Sequence, residues 1–126
     1  MQAFKTKVFA RWAIREGLDD DALASAVFEM ELGLIDAVLD GHVVKKRVAL
    51  PGRGKRGSTR TLVAYQQSKK VFFVYCFSKN VRASVTSKEL RALKLLAEEL
   101  LNYGAADLTK ATQAGELIEI EVNDDA

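Results

Sequence analysis

The chain has 126 residues, 48% of them hydrophobic, and a formal net charge of +2, which indicates one domain with a single hydrophobic core. Its longest apolar run, residues 71–77, is far shorter than the roughly 18 residues that a membrane-spanning helix needs, and the N-terminus has no long apolar signal region. We therefore expect a cytoplasmic protein that does not act at a membrane.

The N-terminal part of the chain is predicted to form a short strand, two helices and a further strand. Residues 2–5 favour a strand, and Thr6 can cap a helix that ends near Gly17. Asp19 can cap a second helix, and the acidic residues that follow it would lie in the first turn, where they interact favourably with the helix dipole. Residues 43–50 are rich in β-branched side chains and predict a strand.

The middle of the chain is predicted to contain a loop and two strands. Residues 51–58 are rich in glycine and basic residues, and we expect a loop there. The side chains of residues 59–66 alternate in polarity, which predicts a strand. Residues 71–77 are apolar at odd and at even positions, which is typical of a central strand covered on both faces. Cys76 lies in this run and is interpreted as a buried hydrophobe.

The C-terminal part is predicted to be mainly helical. Residues 86–89 match a capping box, and leucines at helical spacing continue to about Gly104. A short helix over 107–114 and an alternating strand over 117–122 are expected to follow. The order of elements predicts an α+β fold in which a small antiparallel sheet has helices packed mainly on one face, so that the other face stays open.

Basic and acidic residues are segregated along the sequence. Residues 1–40 hold four basic and eight acidic side chains, and residues 89–126 hold three and nine. Residues 41–88 contain no acidic residue. A solvated basic surface without a ligand would usually include some acid, so we expect a face that binds a polyanion. The basic residues of this segment are Lys45, Lys46, Arg47, Arg53, Lys55, Arg56, Arg60, Lys69, Lys70, Lys79, Arg82 and Lys88.

The basic loop contains the pattern GxGxxG at residues 52–57 (GRGKRG). In dinucleotide-binding proteins this pattern opens a helix, whereas a strand is predicted here, so we reject that function. A nucleotide phosphate-binding loop is also rejected, because no Lys-Ser/Thr pair follows the last glycine. Two interpretations stay open: a loop whose cations approach phosphates, or simply a mobile basic loop.

Residues that could bind a metal are scarce, since the chain has one histidine, His42, one cysteine, and no carboxylate in the basic segment. We therefore expect no metal and no other cofactor. A metal-free nuclease can use the 2′-OH of RNA as nucleophile while its own side chains move protons and stabilise the phosphate. Among clustered cations, lysine can act as a base and arginine can clamp the transition state. Tyr65 and Tyr75 could stack a base or donate a proton, or could simply be packing residues.

Five stretches of the sequence resemble a known family. They are residues 45–48 (KKRV), 52–65 (GRGKRGSTRTLVAY), 77–80 (FSKN), 4–9 (FKTKVF) and 115–119 (GELIE). The first three resemble the RelE/HigB toxins of type II toxin-antitoxin systems, in the RelE/ParE superfamily. The other two resemble a RelE-like subgroup of HigB-type translational repressors. The resemblance implies a RelE-like toxin domain, a sandwich similar to microbial ribonucleases, over residues 1–104. Residues 105–126 would be a short C-terminal extension with an acidic tail.

The resemblance also implies a function. A toxin of this kind is an mRNA interferase: it cuts mRNA in the decoding site of the ribosome, and a cognate antitoxin, a DNA-binding helix-turn-helix protein, holds it inactive. Carried over by motif, Arg60 would clamp the scissile phosphate. Lys55 and Arg56 would contact RNA or supply proton transfer, and Lys79 would lie beside them. Family members often use a tyrosine or histidine near the C-terminal end of the sheet or in the last helix. After Asn80 the one candidate for this role is Tyr103, at a predicted helix end, and the proton donor is left unassigned. The RNA backbone would be bound by Lys45, Lys46, Arg47, Arg53, Arg56 and Arg82.

Two other functions stay open at this point. The same basic face could bind ribosomal RNA and block translation without cleaving it, through phosphate contacts alone. The gyrase-poisoning ParE-like branch shares the fold but targets a protein, and the density of lysine and arginine argues against it. For each function we expect the antitoxin to cover the basic face or to displace an element beside it.

Overall fold

The structure is a computed structural model that describes residues 1–50, 54–78 and 84–122, with the backbone only for residues 54–58. A first strand and two helices are followed by four consecutive strands, two more helices and a last strand. The strands are β1 (Gln2–Thr6), β2 (Ala37–Asp40), β3 (Val43–Leu50), β4 (Gly54–Gln66), β5 (Lys70–Ser78) and β6 (Leu117–Ile120). The helices are α1 (Lys7–Glu16), α2 (Asp20–Glu31), α3 (Ser87–Leu101) and α4 (Ala105–Gln113).

The described strands form one six-stranded sheet in the order β2-β3-β4-β5-β1-β6. Strand β1 pairs with β5 in parallel, and the other neighbouring strands are antiparallel. Strand β5 lies inside the sheet, and most of its side chains are buried on both faces, as its sequence predicted. The α+β class and the mainly antiparallel sheet are confirmed.

Helices cover both faces of the sheet. Helices α1 and α2 pack on the face that contains Val63 and Phe73. Helices α3 and α4 pack on the opposite face, which contains Leu62 and Phe72. The structure therefore differs from the expectation that helices pack mainly on one face. The leucines of α3 pack against the second face of the sheet, where β5 is also apolar.

Local sequence signals set the helix ends. Thr6 caps α1 by accepting a hydrogen bond from a backbone N–H, and Asp19 caps α2 in the same way. Gly17 ends α1 in the left-handed region, at φ 74°, which glycine adopts without steric cost. Thr86 and Glu89 form the predicted capping box of α3. These four predictions are confirmed.

The β3–β4 hairpin is longer than the sequence indicated. Leu50 pairs with Gly54, so β4 begins at Gly54, and residues 54–58 belong to a strand. The expected loop over residues 51–58 is therefore wrong for this part, and residues 51–53 lie outside the described chain. The four-residue strand β2, which the sequence analysis did not predict, borders β3.

The C-terminal elements belong to the same sheet and the same cores as the rest of the chain. Strand β6 pairs with β1, and Ile120 is buried with the helices α1 and α2. Leu108 of α4 and Leu117 of β6 are buried on the α3 face. Residues 105–120 thus cover β1, which would otherwise be an edge strand of the sheet.

Candidate nucleic-acid interface

Three of the predicted cations share one face of the sheet. Arg47 of β3 lies directly across from Arg60 of β4, and Lys45 lies across from Leu62. Because side chains alternate along a strand, Lys45 and Arg47 point to the same side as Arg60 and Leu62. Leu62 is buried on the α3 face. The structure therefore brings Lys45, Arg47 and Arg60 together on this face, which we call the cationic face.

Helix α3 buries the part of the cationic face around Leu62, whereas the part that carries the three cations is accessible to solvent. Arg47 is exposed, and Lys45 and Arg60 are half-buried. No hydrogen bond or ion pair joins the guanidinium of Arg60 to any residue that the structure describes. Residues facing each other across antiparallel strands have Cβ atoms roughly 4.5–5.5 Å apart, and like charges at that position are destabilising. An anion bound between Arg47 and Arg60 would offset this repulsion, and a phosphate group fits two arginines well.

One carboxylate lies at the edge of this face. Asp36 accepts a hydrogen bond from the backbone N–H of Arg47 at 2.6 Å and another from its Nε at 2.9 Å. Burial raises the pKa of the Asp36 carboxyl, but the hydrogen bonds and charge of Arg47 lower it more, so the pKa lies below its ordinary value. Asp36 is therefore ionised at neutral pH. The sequence analysis missed it, because it belongs to the acidic N-terminal third.

Lys46 lies on the opposite face of the sheet. Lys46 pairs in register with the buried residue Thr61 and is itself only 4% exposed. Its Nζ lies 2.6 Å from a carboxylate oxygen of Glu29 on α2. The ammonium group of Lys46 thus joins α2 to the sheet and is not brought to the cationic face, although it was predicted to bind RNA.

For the remaining predicted cations the structure describes at most the backbone. Lys55 and Arg56 are in β4, and only their backbone is described. Ser78, the last residue of β5, pairs with Thr59, and Lys79 follows it. Lys79 lies outside the residues that the structure describes, and so do Arg53 and Arg82.

Two of the tyrosines considered as proton donors are not close to a reactive position. Tyr65 is buried, and its hydroxyl donates to the carbonyl of Met30 at 3.1 Å and to Glu31. Burial, and then Glu31, raise the pKa of Tyr65 well above its ordinary value, so this hydroxyl is a packing group.

Tyr103 lies at the other end of the sheet from Arg60. Its carbonyl accepts a hydrogen bond from Lys70 at the start of β5, whereas Arg60 pairs with Phe77 near the end of that strand. At about 3.3 Å per residue, Lys70 and Phe77 are separated by roughly 20 Å along the strand, and Tyr103 also lines a cavity with Thr6 and Val74. Tyr103 is therefore not part of the cationic face.

An aromatic cluster borders the cationic face. Tyr75 pairs in register with Leu62, which lies on that face, and Phe77 pairs with Arg60. The ring of Tyr75 lies 4.8 Å from that of Trp12 and 6.1 Å from that of Phe77, measured between centroids. Tyr75 and Trp12 are half-buried. Trp12 was not predicted to be near the site, because only the fold brings α1 to this end of β5.

Other potentially reactive groups are remote or unreactive. His42 is exposed at the β2–β3 turn, just before the first residue of β3, whereas Arg47 lies further along that strand. Burial, and then the charge of Glu16, raise the pKa of the Cys76 thiol to about 12, which agrees with its interpretation as a packing residue. Among the described residues, no three His, Cys, Asp or Glu side chains come together as a metal site requires. Within the same residues, no helix has the length and apolar character to cross a membrane.

The fold and the cationic face define a small α+β domain with clustered basic residues on a mainly antiparallel sheet. A family model described as the RelE toxin of the RelE/RelB toxin-antitoxin system matches residues 1–120. The chain belongs to this RelE family: it is the toxin of a toxin-antitoxin system, and a cognate antitoxin is implied as its partner. No curated protein sequence matches the chain. The predicted resemblance to RelE toxins is confirmed, and the match continues beyond residue 104 through α4 and β6.

Proposed function

We propose that this toxin is a metal-free endoribonuclease that cuts mRNA on the ribosome and thereby inhibits translation in the cytoplasm. The observation that carries the proposal is the Arg47–Arg60 pair, in which two like charges face each other and no described residue pairs with Arg60. Such a pair is suited to an RNA phosphate. Membership of the RelE family supports the proposal, because RelE toxins are generally ribonucleases.

In the proposed reaction, the 2′-OH of one nucleotide attacks the adjacent phosphorus atom, and the bond from phosphorus to the 5′-oxygen breaks. A base takes the proton of the 2′-OH, and an acid gives a proton to the leaving 5′-oxygen. The products are a 2′,3′-cyclic phosphate and a 5′-hydroxyl. The additional negative charge on the phosphate oxygens in the transition state is stabilised by Arg60, whose guanidinium stays protonated.

We assign the two proton transfers to Lys55 and Lys79, as the family resemblance implies. Lys55 precedes Arg60 on β4, and Lys79 follows Ser78, whose partner in the sheet is Thr59. A lysine surrounded by other cations loses its proton more easily than an isolated lysine, which makes it a usable base.

RNA on either side of the cut is bound by the other cations. Lys45 and Arg47 contribute phosphate contacts on the cationic face, and Tyr75 offers a ring for base stacking. Lys46 is left out of this set, since Glu29 holds its ammonium group on the opposite face. The proposed set is completed by Arg53, Arg56 and Arg82.

The antitoxin, proposed to be a DNA-binding helix-turn-helix protein, inhibits the toxin by covering the cationic face or by displacing an element beside it. Either arrangement denies RNA access to Arg60. A complex in which the antitoxin left Arg60 fully accessible to RNA would contradict this mode of inhibition.

The test is primer-extension mapping of an mRNA in a reconstituted translation system, with and without ribosomes. Wild-type protein is compared with Arg60→Ala and with a control, Arg11→Ala, which removes the same charge from an exposed position on α1. We expect cuts that require ribosomes, that persist in Arg11→Ala and that are lost in Arg60→Ala.

Other outcomes would select another function. Translation that stops while the mRNA stays intact would identify a non-cleaving ribosome-binding repressor. Cuts that persist undiminished in Arg60→Ala would remove Arg60 from the site. If translation is unaffected, a gyrase supercoiling assay would test the ParE-like alternative.

A further inference from the structure

Asp36 is built into the edge of the sheet beside Arg47. Its backbone N–H donates to the carbonyl of Lys45 at 3.0 Å, which fixes its position next to β3. One carboxylate oxygen accepts the backbone N–H of Arg47, and the other accepts its Nε–H. The carboxylate therefore holds Arg47 at two points, one on the main chain and one on the guanidinium.

This contact leaves part of the Arg47 guanidinium available for a ligand. Asp36 engages Nε, and the two Nη amino groups make no hydrogen bond to any described residue. The side chain of Arg47 is 46% exposed, whereas that of Asp36 is 24% exposed. The arginine thus presents its amino groups to solvent on the cationic face while the carboxylate lies behind it.

We propose that Asp36 is a positioning residue that orients Arg47, so that Arg47 and Arg60 present their amino groups to the same RNA phosphate. The inference rests on the proposed function of the cationic face. A long arginine side chain loses conformational freedom when it binds a phosphate, and a carboxylate that has already fixed its orientation reduces this loss on binding.

A carboxylate that acted only through its charge would affect RNA binding in the opposite direction. A carboxylate near a phosphate repels it, so an Asp36 that acted only through its charge would weaken RNA binding. Removing such a residue would strengthen binding and speed cleavage. Removing a positioning residue slows cleavage instead, and the direction of the change separates the two roles.

The test is a double-mutant cycle between Asp36 and Arg47, read out as single-turnover mRNA cleavage on ribosomes at several salt concentrations. Asp36→Ala should slow cleavage about tenfold, as expected for losing a hydrogen bond to a charged group. Asp36→Asn should slow it less, because its amide oxygen can still accept one hydrogen bond. In an Arg47→Ala background, Asp36→Ala should have no further effect. The control is Asp21→Ala, which removes an exposed acid from α2.

A second readout does not depend on RNA cleavage. In the free protein, NMR should show slow hydrogen exchange for the Arg47 Nε–H, and fast exchange in Asp36→Ala with the fold intact. Faster cleavage in Asp36→Ala, an equal loss in the Arg47→Ala background, or an unprotected Nε–H in the wild type would overturn the inference. If the Nε–H is protected by Asp36 but neither Arg47→Ala nor Arg60→Ala slows cleavage, the proposed role of the cationic face in RNA binding fails and the positioning role of Asp36 fails with it, although the contact between Asp36 and Arg47 stands.

Discussion

The ion pair between Lys46 and Glu29 leads to an asymmetric prediction. The Lys46 side chain is 5% exposed and that of Glu29 is 33% exposed, with 2.6 Å between the charged atoms. Replacing Glu29 by methionine leaves an ammonium group buried without this partner. Replacing Lys46 by methionine leaves a carboxylate that water can reach. The first change should therefore cost more stability than the second.

The magnitudes follow from the burial of each group. Breaking a fully buried pair costs about 3–5 kcal/mol, and partial exposure of Glu29 places Glu29→Met near the lower limit, at about 3 kcal/mol. Lys46→Met should cost about 1 kcal/mol, since the remaining carboxylate is hydrated and methionine retains most of the apolar stem. The double variant should be more stable than Glu29→Met alone, because no charge is left buried.

Urea unfolding followed by the fluorescence of Trp12, the single tryptophan, measures these differences. With a slope of about 1–3 kcal/mol per molar urea, a loss of about 3 kcal/mol lowers the midpoint by roughly 1–3 M. Lys46→Met should also keep its cleavage activity, whereas Lys45→Ala should lose part of it. A Glu29→Met variant as stable as Lys46→Met, or a Lys46→Met variant without activity, would refute the reasoning.

Three further predictions concern stability and reactivity. Tyr65→Phe should lower the free energy of unfolding by about 1–2 kcal/mol in urea unfolding, since the hydroxyl no longer bonds Glu31. Because folding raises the pKa of Tyr65, its hydroxyl should contribute fully to the free energy of unfolding below the ordinary tyrosine pKa of about 10, and this contribution should decline at higher pH. If the free energy of unfolding of the wild type fell no more steeply at alkaline pH than that of Tyr65→Phe, this reasoning would be contradicted. Since burial raises the pKa of the Cys76 thiol to about 12, iodoacetamide at neutral pH should modify the folded protein far more slowly than the urea-unfolded protein. Gly17→Ala should cost about 1 kcal/mol by thermal unfolding, because φ at this position is 74°, and an unchanged midpoint would argue against the strain.

Local chemistry made much of the fold predictable from the sequence. Thr6, Asp19 and Thr86 cap helices through hydrogen bonds to backbone groups within three residues, so their role can be read from neighbouring positions. The start of β4 could not be read in this way. Residues 54–58 are glycine-rich, and their strand conformation comes from pairing with β3, which is a tertiary effect.

The candidate site was predictable in its residue types and only partly in its geometry. The absence of acid from residues 41–88 indicated cations near one another, and the structure brings Lys45, Arg47 and Arg60 together. Because side chains alternate along a strand, Lys46 lies on the opposite face from Lys45 and Arg47, whereas the RNA-binding set predicted from the sequence contained all three. The contact of Asp36 with Arg47 joins two segments eleven residues apart through a strand that the sequence pattern did not reveal.

The central claim, metal-free cleavage of mRNA by attack of its own 2′-OH, is tested most directly with a substrate changed at one atom. Once the cut is mapped, an mRNA with a single 2′-deoxynucleotide immediately 5′ of the scissile phosphate is translated with the toxin in the reconstituted system. We predict that this mRNA stays intact at that position, while the all-ribose mRNA yields a 2′,3′-cyclic phosphate and a 5′-hydroxyl. Cleavage of the deoxy-substituted mRNA at the same rate would contradict the claim.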